Sequence, residues 1–339
     1  MRHWVTIAFL FVGLTTLAQD AIQEFLLSPP AHKTPNSRYR NISVLDLRED
    51  TSSLGFFRNG GGSNKKIKVL SGASLQSQFI GLLNSLVDSN AGYGELVVQV
   101  RTFTFSGSNR TPTRKGSCHI RFALYSKTGP YYYKVAHIDS LVFVKSDNMV
   151  PELMKKTEEV IVNFISDNLN KDLSDSLSYN YIQLKHIELV EKNRMPLYRA
   201  VEYKEGVYFT YQSFRNQKPD CNGIISADDK WINSVRIEDE SGRLIKLKNK
   251  AVYAVVHHGV PYISTVYGYY QLRKRKNDFY FIGKVKISAD PGDVAYAAVV
   301  YGAAWAFIES FDKPTAYEIK LDYFNGSFIR IRDLGIKPE

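Results

Sequence analysis

The residues of this 339-residue chain that could do chemistry are scattered rather than clustered. His257 and His258 form an adjacent pair, but neighbours on a strand point to opposite faces and cannot chelate one metal ion without a bulge. With Gly259-Val260-Pro261 following, the pair reads as the end of a hairpin. Asp220-Cys221-Asn222-Gly223 and Asp228-Asp229 offer oxygens for calcium, yet their spacing misses the EF-hand loop and suits an Asx-rich turn. Gly60-Gly61-Gly62-Ser63-Asn64-Lys65 lacks the lysine directly after a glycine, and the helix behind it, that a phosphate cradle requires. Ser63-Asn64-Lys65-Lys66 and Ser310-Phe311-Asp312-Lys313 each fit Ser-x-x-Lys, without the partner motifs that would make the serine a nucleophile. His-Glu-x-x-His, Gly-x-Ser-x-Gly and Walker-type motifs do not occur. The sequence therefore assigns no catalytic, metal or cofactor residue, and no cofactor is expected.

What it does offer is an aromatic and basic edge. Tyr262, Tyr267, Tyr269 and Tyr270 crowd one expected strand, next to the run Arg273-Lys274-Arg275-Lys276. Aromatic rings and arginines are the side chains that carry most of the energy of recognition surfaces. These eight residues form the candidate partner surface, for a glycan or an envelope protein. The expected function is accordingly non-enzymatic binding. A rival reading is a glycan hydrolase whose two carboxylates come together from separate strands, a pairing that sequence does not reveal.

Charge excludes one class of partner. The net charge is +10, but residues 19–175 carry +4 and residues 176–339 carry +5, so the excess is spread thinly. Binding to a phosphate backbone demands a concentrated stripe, and no nucleic-acid partner is expected. Two cysteines cannot build a disulfide scaffold; Cys118 and Cys221 are expected as separate thiols.

The elements that must position these residues start behind an address. Met1-Arg2-His3 is basic, Trp4 to Leu14 is largely apolar, and Thr15-Thr16-Leu17-Ala18 supplies small residues before Gln19. That is the order of a secretory signal, so export with cleavage after Ala18 is expected, to the periplasm, the outer surface or the medium. No cysteine stands at the cleavage point, which excludes a lipoprotein anchor there. A flexible leader is expected over 19–41. A first domain over 42–172 carries strands at 42–47, 95–105, 117–125 and 131–144. Its two amphipathic helices, one over 73–89 and one opening at Asp147 or Asn148, give the order β-α-β-β-β-α.

The polar stretch from Asn168 to Asn180 marks the boundary, with a linker over 173–181. Residues 182–335 are strand-rich, and 16 of the 22 tyrosines lie in residues 176–339. Strands are expected at 184–190, 198–210, 232–238, 243–247, 251–257, 260–271, 278–288, 316–322 and 327–332. Glu240-Ser241-Gly242 and Asn325-Gly326 signal hairpins, the latter of type I′. Residues 294–308, from Val294 to Ile308, carry no charge and are expected as one apolar helix, packed on the sheet or touching a membrane surface. The fold class is thus α+β: a mixed first domain, then a mainly antiparallel β domain with one apolar helix.

Several short stretches resemble secreted proteins of Bacteroidota-type bacteria that have no established activity. They are the Leu-Ala-Gln end of the leader, Val44-Leu45-Asp46-Leu47-Arg48-Glu49-Asp50 with Leu54-Gly55-Phe56, Glu205-Gly206-Val207-Tyr208-Phe209-Thr210, Phe214-Arg215-Asn216-Gln217-Lys218-Pro219, and the hairpin from Glu238 to Arg243. The resemblance implies an envelope location and supplies no catalytic residues.

Overall fold

The computed structural model describes residues 21–30, 32–59, 66–109, 114–171, 173, 177–228, 231–284 and 316–335. The expected signal segment and the expected apolar helix over 294–308 lie outside the described residues. The chain is α+β and rich in strand.

The first half is one eight-stranded sheet. It comprises β1 (Ala21–Phe25), β2 (Tyr39–Asp46), β3 (Gly55–Asn59), β4 (Lys66–Ser71), β5 (Gly94–Asn109), β6 (Lys115–Thr128), β7 (Tyr131–Lys145) and β8 (Ser178–Tyr179). β5 is its axis. One edge of β5 takes β2 in parallel along its first half and β3 in parallel along its second. The other edge pairs antiparallel with β6, which pairs in turn with β7. β1, β3 and β4 are additions to the expected order: β3 and β4 form a hairpin, and β1 lies parallel to β4. These strands are only five or six residues long, too short for their alternation to stand out from the Gly- and Lys-containing sequence around them.

The helices α1 (Leu75–Leu86) and α2 (Met149–Ser166) cover one face of this sheet, as the spacing required. Ser74 caps α1 by accepting from the Ser77 amide at 3.1 Å, and Pro151 sits in the first turn of α2, where its missing N–H has no helical partner to lose. Phe79 is fully buried among Phe122, Leu82 and Val98, so its truncation to alanine costs about 3–5 kcal/mol. The one polar residue of the α1 stripe, Gln78, accepts from Leu27 N at 2.8 Å and donates to Ser71 Oγ at 2.7 Å. It thereby ties the leader, expected to be flexible, to the helix.

The opposite face of the sheet takes a different cover. Residues 184–190, expected as a strand, are helical: α3 (Tyr181–Lys185) and α4 (Ile187–Lys192) follow Asn180, whose side chain and Gln183 form a capping box. Leu184 and Ile187 bury against Val97, Ala123, Tyr125 and Tyr179. Ser178–Tyr179, within the expected linker, pairs with β7.

Beyond this point every strand pair among the described residues is antiparallel. The segment expected as a strand over 198–210 is α5 (Pro196–Arg199), a loop, and β9 (Gly206–Tyr208), before α6 (Tyr211–Arg215). Three small sheets follow. β10 (Ile224–Ala227), β11 (Ile232–Glu238) and β12 (Leu244–Lys246) form the first. β9 joins β13 (Ala254–His257), β14 (Val260–Thr265) and β15 (Gly268–Gln271) in the second. The third is β16 (Arg273–Arg275), β17 (Asp278–Gly283), β18 (Tyr317–Leu321) and β19 (Phe328–Asp333). The second sheet is the middle layer. Val207, Val255 and Tyr269 pack towards Ile232 and Val235 of β11, while Tyr208, Ile263 and Tyr270 pack towards Phe279, Phe281 and Ile319. A layer with both faces buried explains why its strands are apolar without clean alternation.

Two turns differ from expectation. The β18–β19 connection spans Asp322 to Ser327, with positive φ at Gly326 alone, so it is not a two-residue type I′ turn. The two consecutive positive φ values of such a turn occur instead at His258 (51°) and Gly259 (73°), between β13 and β14. Glu205 holds that turn by accepting from both amides.

Candidate functional site

The expected recognition strand is two strands. β14 and β15 fold back at Val266 and Tyr267, with Tyr262 opposite Gln271 and Ile263 opposite Tyr270. Alternation then divides the four tyrosines. Tyr269 is buried against the β10–β12 side and Tyr270 against the β16–β19 side, and burial raises the pKa of both hydroxyls. Tyr267 stands exposed at the turn, by a depression of about 390 Å³ that it shares with Trp231 and Tyr269.

Tyr262 and Tyr270 do meet Arg273 and Arg275. Together with Trp231 and Tyr280 they line a cleft of about 720 Å³ between the second and third sheets. The register explains the meeting. Arg273 lies opposite Tyr280 on β17, and Ile282, two residues on, lies opposite Glu318 on β18, so these side chains share the open face. The Arg275 guanidinium covers the Tyr280 ring at 3.9 Å and binds Glu318 at 2.7 Å, where Arg332 also approaches at 3.6 Å. Arg273 donates to the neutral Gln271 Oε1 at 3.1 and 3.3 Å and makes no ion pair among the described residues. Trp231, 44% exposed, presents a ring to the cleft and meets Tyr270 edge-on at 6.4 Å. Tyr270 is itself stacked on Phe281 at 5.9 Å, and its ring occupies the space in which a Cβ at Gly283 would stand 2.6 Å away.

The rest of the basic run is not part of this wall. Lys274 points to the opposite face, where its ammonium donates to Tyr198 O and faces the Phe279 ring at 5.9 Å. Lys276 is the left-handed residue of the β16–β17 turn. Trp231, Tyr280 and Glu318 belong to the cleft and were absent from the sequence-derived list. Each comes from a different hairpin, so no local spacing connects them.

A second opening, of about 590 Å³, lies where the two halves meet, with Arg48, Asp50, Arg101, Arg121, Glu188 and Lys320 among its walls. Most of its charges are engaged in ion pairs: Arg48 with Asp46, Arg101 with Glu191, Arg121 with Asp139 and Asp322, Glu188 with Lys192 and Lys320 with Asp278. Arg101 clasps Glu191 of α4 at 2.7 and 3.1 Å, and Tyr323 donates to the same carboxylate at 2.9 Å. Arg121 bridges the halves: it holds Asp139 of β7 at 3.0 and 3.1 Å and Asp322 of the β18–β19 loop at 2.7 and 3.3 Å. His119 and Asn325 complete Asp139, each at 2.7 Å, and Phe324 lies under Arg121 at 4.7 Å. Burial pushes the Asp139 carboxyl up, but the His119 hydrogen bond and the Arg121 charge outweigh it and hold the group well below the usual carboxylate range. Tyr125, deeply buried beside Arg101, is pushed up to about 12.

Asp322, buried, and Asp139, half-buried, are thus two carboxylates gathered around one cation. Asp220 serves the backbone, accepting from Phe209 N at 2.7 Å, and among the described residues no group of three His, Cys, Asp or Glu is placed to hold a metal ion. Cys118 is buried and Cys221 half-buried, and the two are not bonded. No helix among the described residues is long and apolar enough to cross a membrane.

No family model matches the chain, and no curated protein matches it. Among solved structures it is similar to protein XCC0632 from Xanthomonas campestris, of family DUF330, at 9% identity and a TM-score of 0.26, over 50% of this chain and 99% of that one.

Proposed function

We propose that the chain is exported and acts as a non-enzymatic glycan-binding protein of the cell envelope or extracellular space. The observation that supports this reading is the cleft of about 720 Å³ walled by Trp231, Tyr262, Tyr270 and Tyr280 with Arg273 and Arg275 at its rim. Sugar rings offer apolar C–H faces and hydroxyl edges. An open indole and flanking phenols suit the first; for the second, the guanidinium groups donate to hydroxyl oxygens and the Glu318 carboxylate accepts from hydroxyl groups. Arg273 and Arg275, two of the four residues of the expected basic run, lie on the same cleft. The signal-like start supports export, and the resemblance to secreted Bacteroidota-type proteins points the same way.

The test uses the mature chain from Gln19 in titration calorimetry against a panel of envelope oligosaccharides. Saturable binding is expected, lost in Trp231→Ala, with the sugar recovered unchanged. Release of reducing ends from any panel member would overturn the binding-only reading in favour of a hydrolase, and the absence of binding to every member would overturn the glycan reading itself.

A further inference from the structure

We infer that the saccharide held in this cleft is anionic, bearing a carboxylate or phosphate that docks on Arg273; this rests on the glycan reading above. The charges of the cleft are unequal in availability. Glu318 already receives Arg275 at 2.7 Å and Arg332 at 3.6 Å, so that carboxylate is balanced within the protein. Among the described residues Arg273 has Gln271 Oε1 as its side-chain partner, a neutral acceptor at 3.1 and 3.3 Å that aligns the guanidinium without discharging it. Arg273 is exposed, lies opposite Tyr280 on the neighbouring strand and lines the same cleft as Trp231.

The cleft therefore joins an aromatic platform to one oriented, uncompensated cation. A neutral sugar would use the platform and offer the guanidinium only hydroxyl acceptors, which leave its charge uncompensated. A planar carboxylate or a phosphate matches its paired N–H groups, a geometry a lysine does not offer. Arg275, committed to Glu318 and lying flat on Tyr280, shapes the wall and adds to the positive field without being the docking group.

The experiment is calorimetry on the full mature chain with three tetrasaccharide probes of equal length: a uronate oligomer, a phosphorylated glucan and its neutral parent. Variants are Arg273→Gln, Arg273→Lys, Trp231→Ala and, as a charge control on the far helix, Lys155→Gln. The inference expects one of the anionic probes to bind more tightly than the neutral one, and which of them binds tells carboxylate from phosphate. Arg273→Gln is expected to weaken that binding about 10- to 100-fold, the loss of one charge-assisted contact, with Arg273→Lys intermediate and Lys155→Gln unchanged. Equal binding of neutral and anionic probes, insensitive to Arg273→Gln, would overturn the inference while leaving the glycan reading intact. Anionic binding weakened equally by Lys155→Gln and unaffected by Trp231→Ala would show general polyanion adhesion and overturn it too. Failure of all three probes to bind would remove both.

Discussion

Replacing Arg121 by methionine puts the junction between the halves to a quantitative test. Arg121 makes four hydrogen bonds, to Asp139 at 3.0 and 3.1 Å and to Asp322 at 2.7 and 3.3 Å, and the two carboxylate side chains are only 13% and 6% exposed. Methionine preserves most of the stem's packing and removes the charge. Charge-assisted hydrogen bonds contribute about 1.5–3 kcal/mol each when counted singly. Four of them cannot simply be added, because the intact cluster has already borne the desolvation of three ions. Removing the one cation from a buried cluster costs about 3–5 kcal/mol instead, since two carboxylates are left facing each other. Asp139 retains His119 and Asn325, and Asp322 retains the Phe324 amide at 2.9 Å, which places the loss towards the lower end of that range. The assay is urea unfolding at pH 7, followed by far-ultraviolet circular dichroism and by tryptophan fluorescence. Two probes are needed because a chain with several cores need not unfold in one step. The variant is expected to lose about 3 kcal/mol. Adding Asp322→Asn to Arg121→Met should restore part of the loss, as one unpaired charge is removed. A loss below about 1 kcal/mol, the size typical of an exposed ion pair, would refute the claim that this cluster clamps the halves together.

Other consequences are open to direct measurement. Asp139, with its folded pKa below the usual range, contributes stability that is complete above the unfolded value of about 4 and is lost as pH falls from there towards the folded value; Asp139→Asn should flatten the urea midpoint between pH 6 and 2.5. Gly326→Ala should destabilise by at least about 1–3 kcal/mol, because φ is +78° there and a Cβ would lie 2.2 Å from the Tyr211 ring; a thermal melt unchanged from the parent would contradict the loop geometry. Gly283→Ala should push Tyr270 into the cleft and weaken glycan binding more than it lowers the melting temperature, which calorimetry and a thermal scan separate. Mass spectrometry of the exported chain should find Gln19 at the mature N-terminus; retention of Met1 on the exported chain would exclude cleavage.

Much of the first sheet is legible along the chain because its determinants are local. The apolar stripe Leu75, Phe79, Leu82, Leu83 and Leu86 defines α1 at any position in a fold, and β5 to β7 are long enough for alternation to declare itself. Gly242, at φ +79°, turns β11 into β12 where the Glu-Ser-Gly signal stands. The helices α3 and α4 show the limit. Leu184, Ile187 and Glu191 are spaced for a helix face, yet the same residues also fit a short strand. What selects the helix is the surface it meets: Tyr125 and Ala123 take the apolar side chains, and Arg101 takes Glu191.

The candidate cleft divides in the same way. Residue types alone determine an aromatic and basic edge around Tyr262 to Lys276, since tyrosine and arginine suit half-exposed sheet surface wherever it lies. Local alternation sends Tyr269 and Tyr270 to opposite layers and turns Lys274 away from Arg273 and Arg275. Only the stacking of three sheets brings Trp231, Tyr280 and Glu318 to that edge, and only the pairing of β18 with β17 and β19 places Glu318 between Arg275 and Arg332, leaving Arg273 as the uncompensated charge. Strand pairing between distant segments depends on register and on layer order, which arise from the packing of whole faces, and so the chemistry of the cleft is a property of the assembled fold.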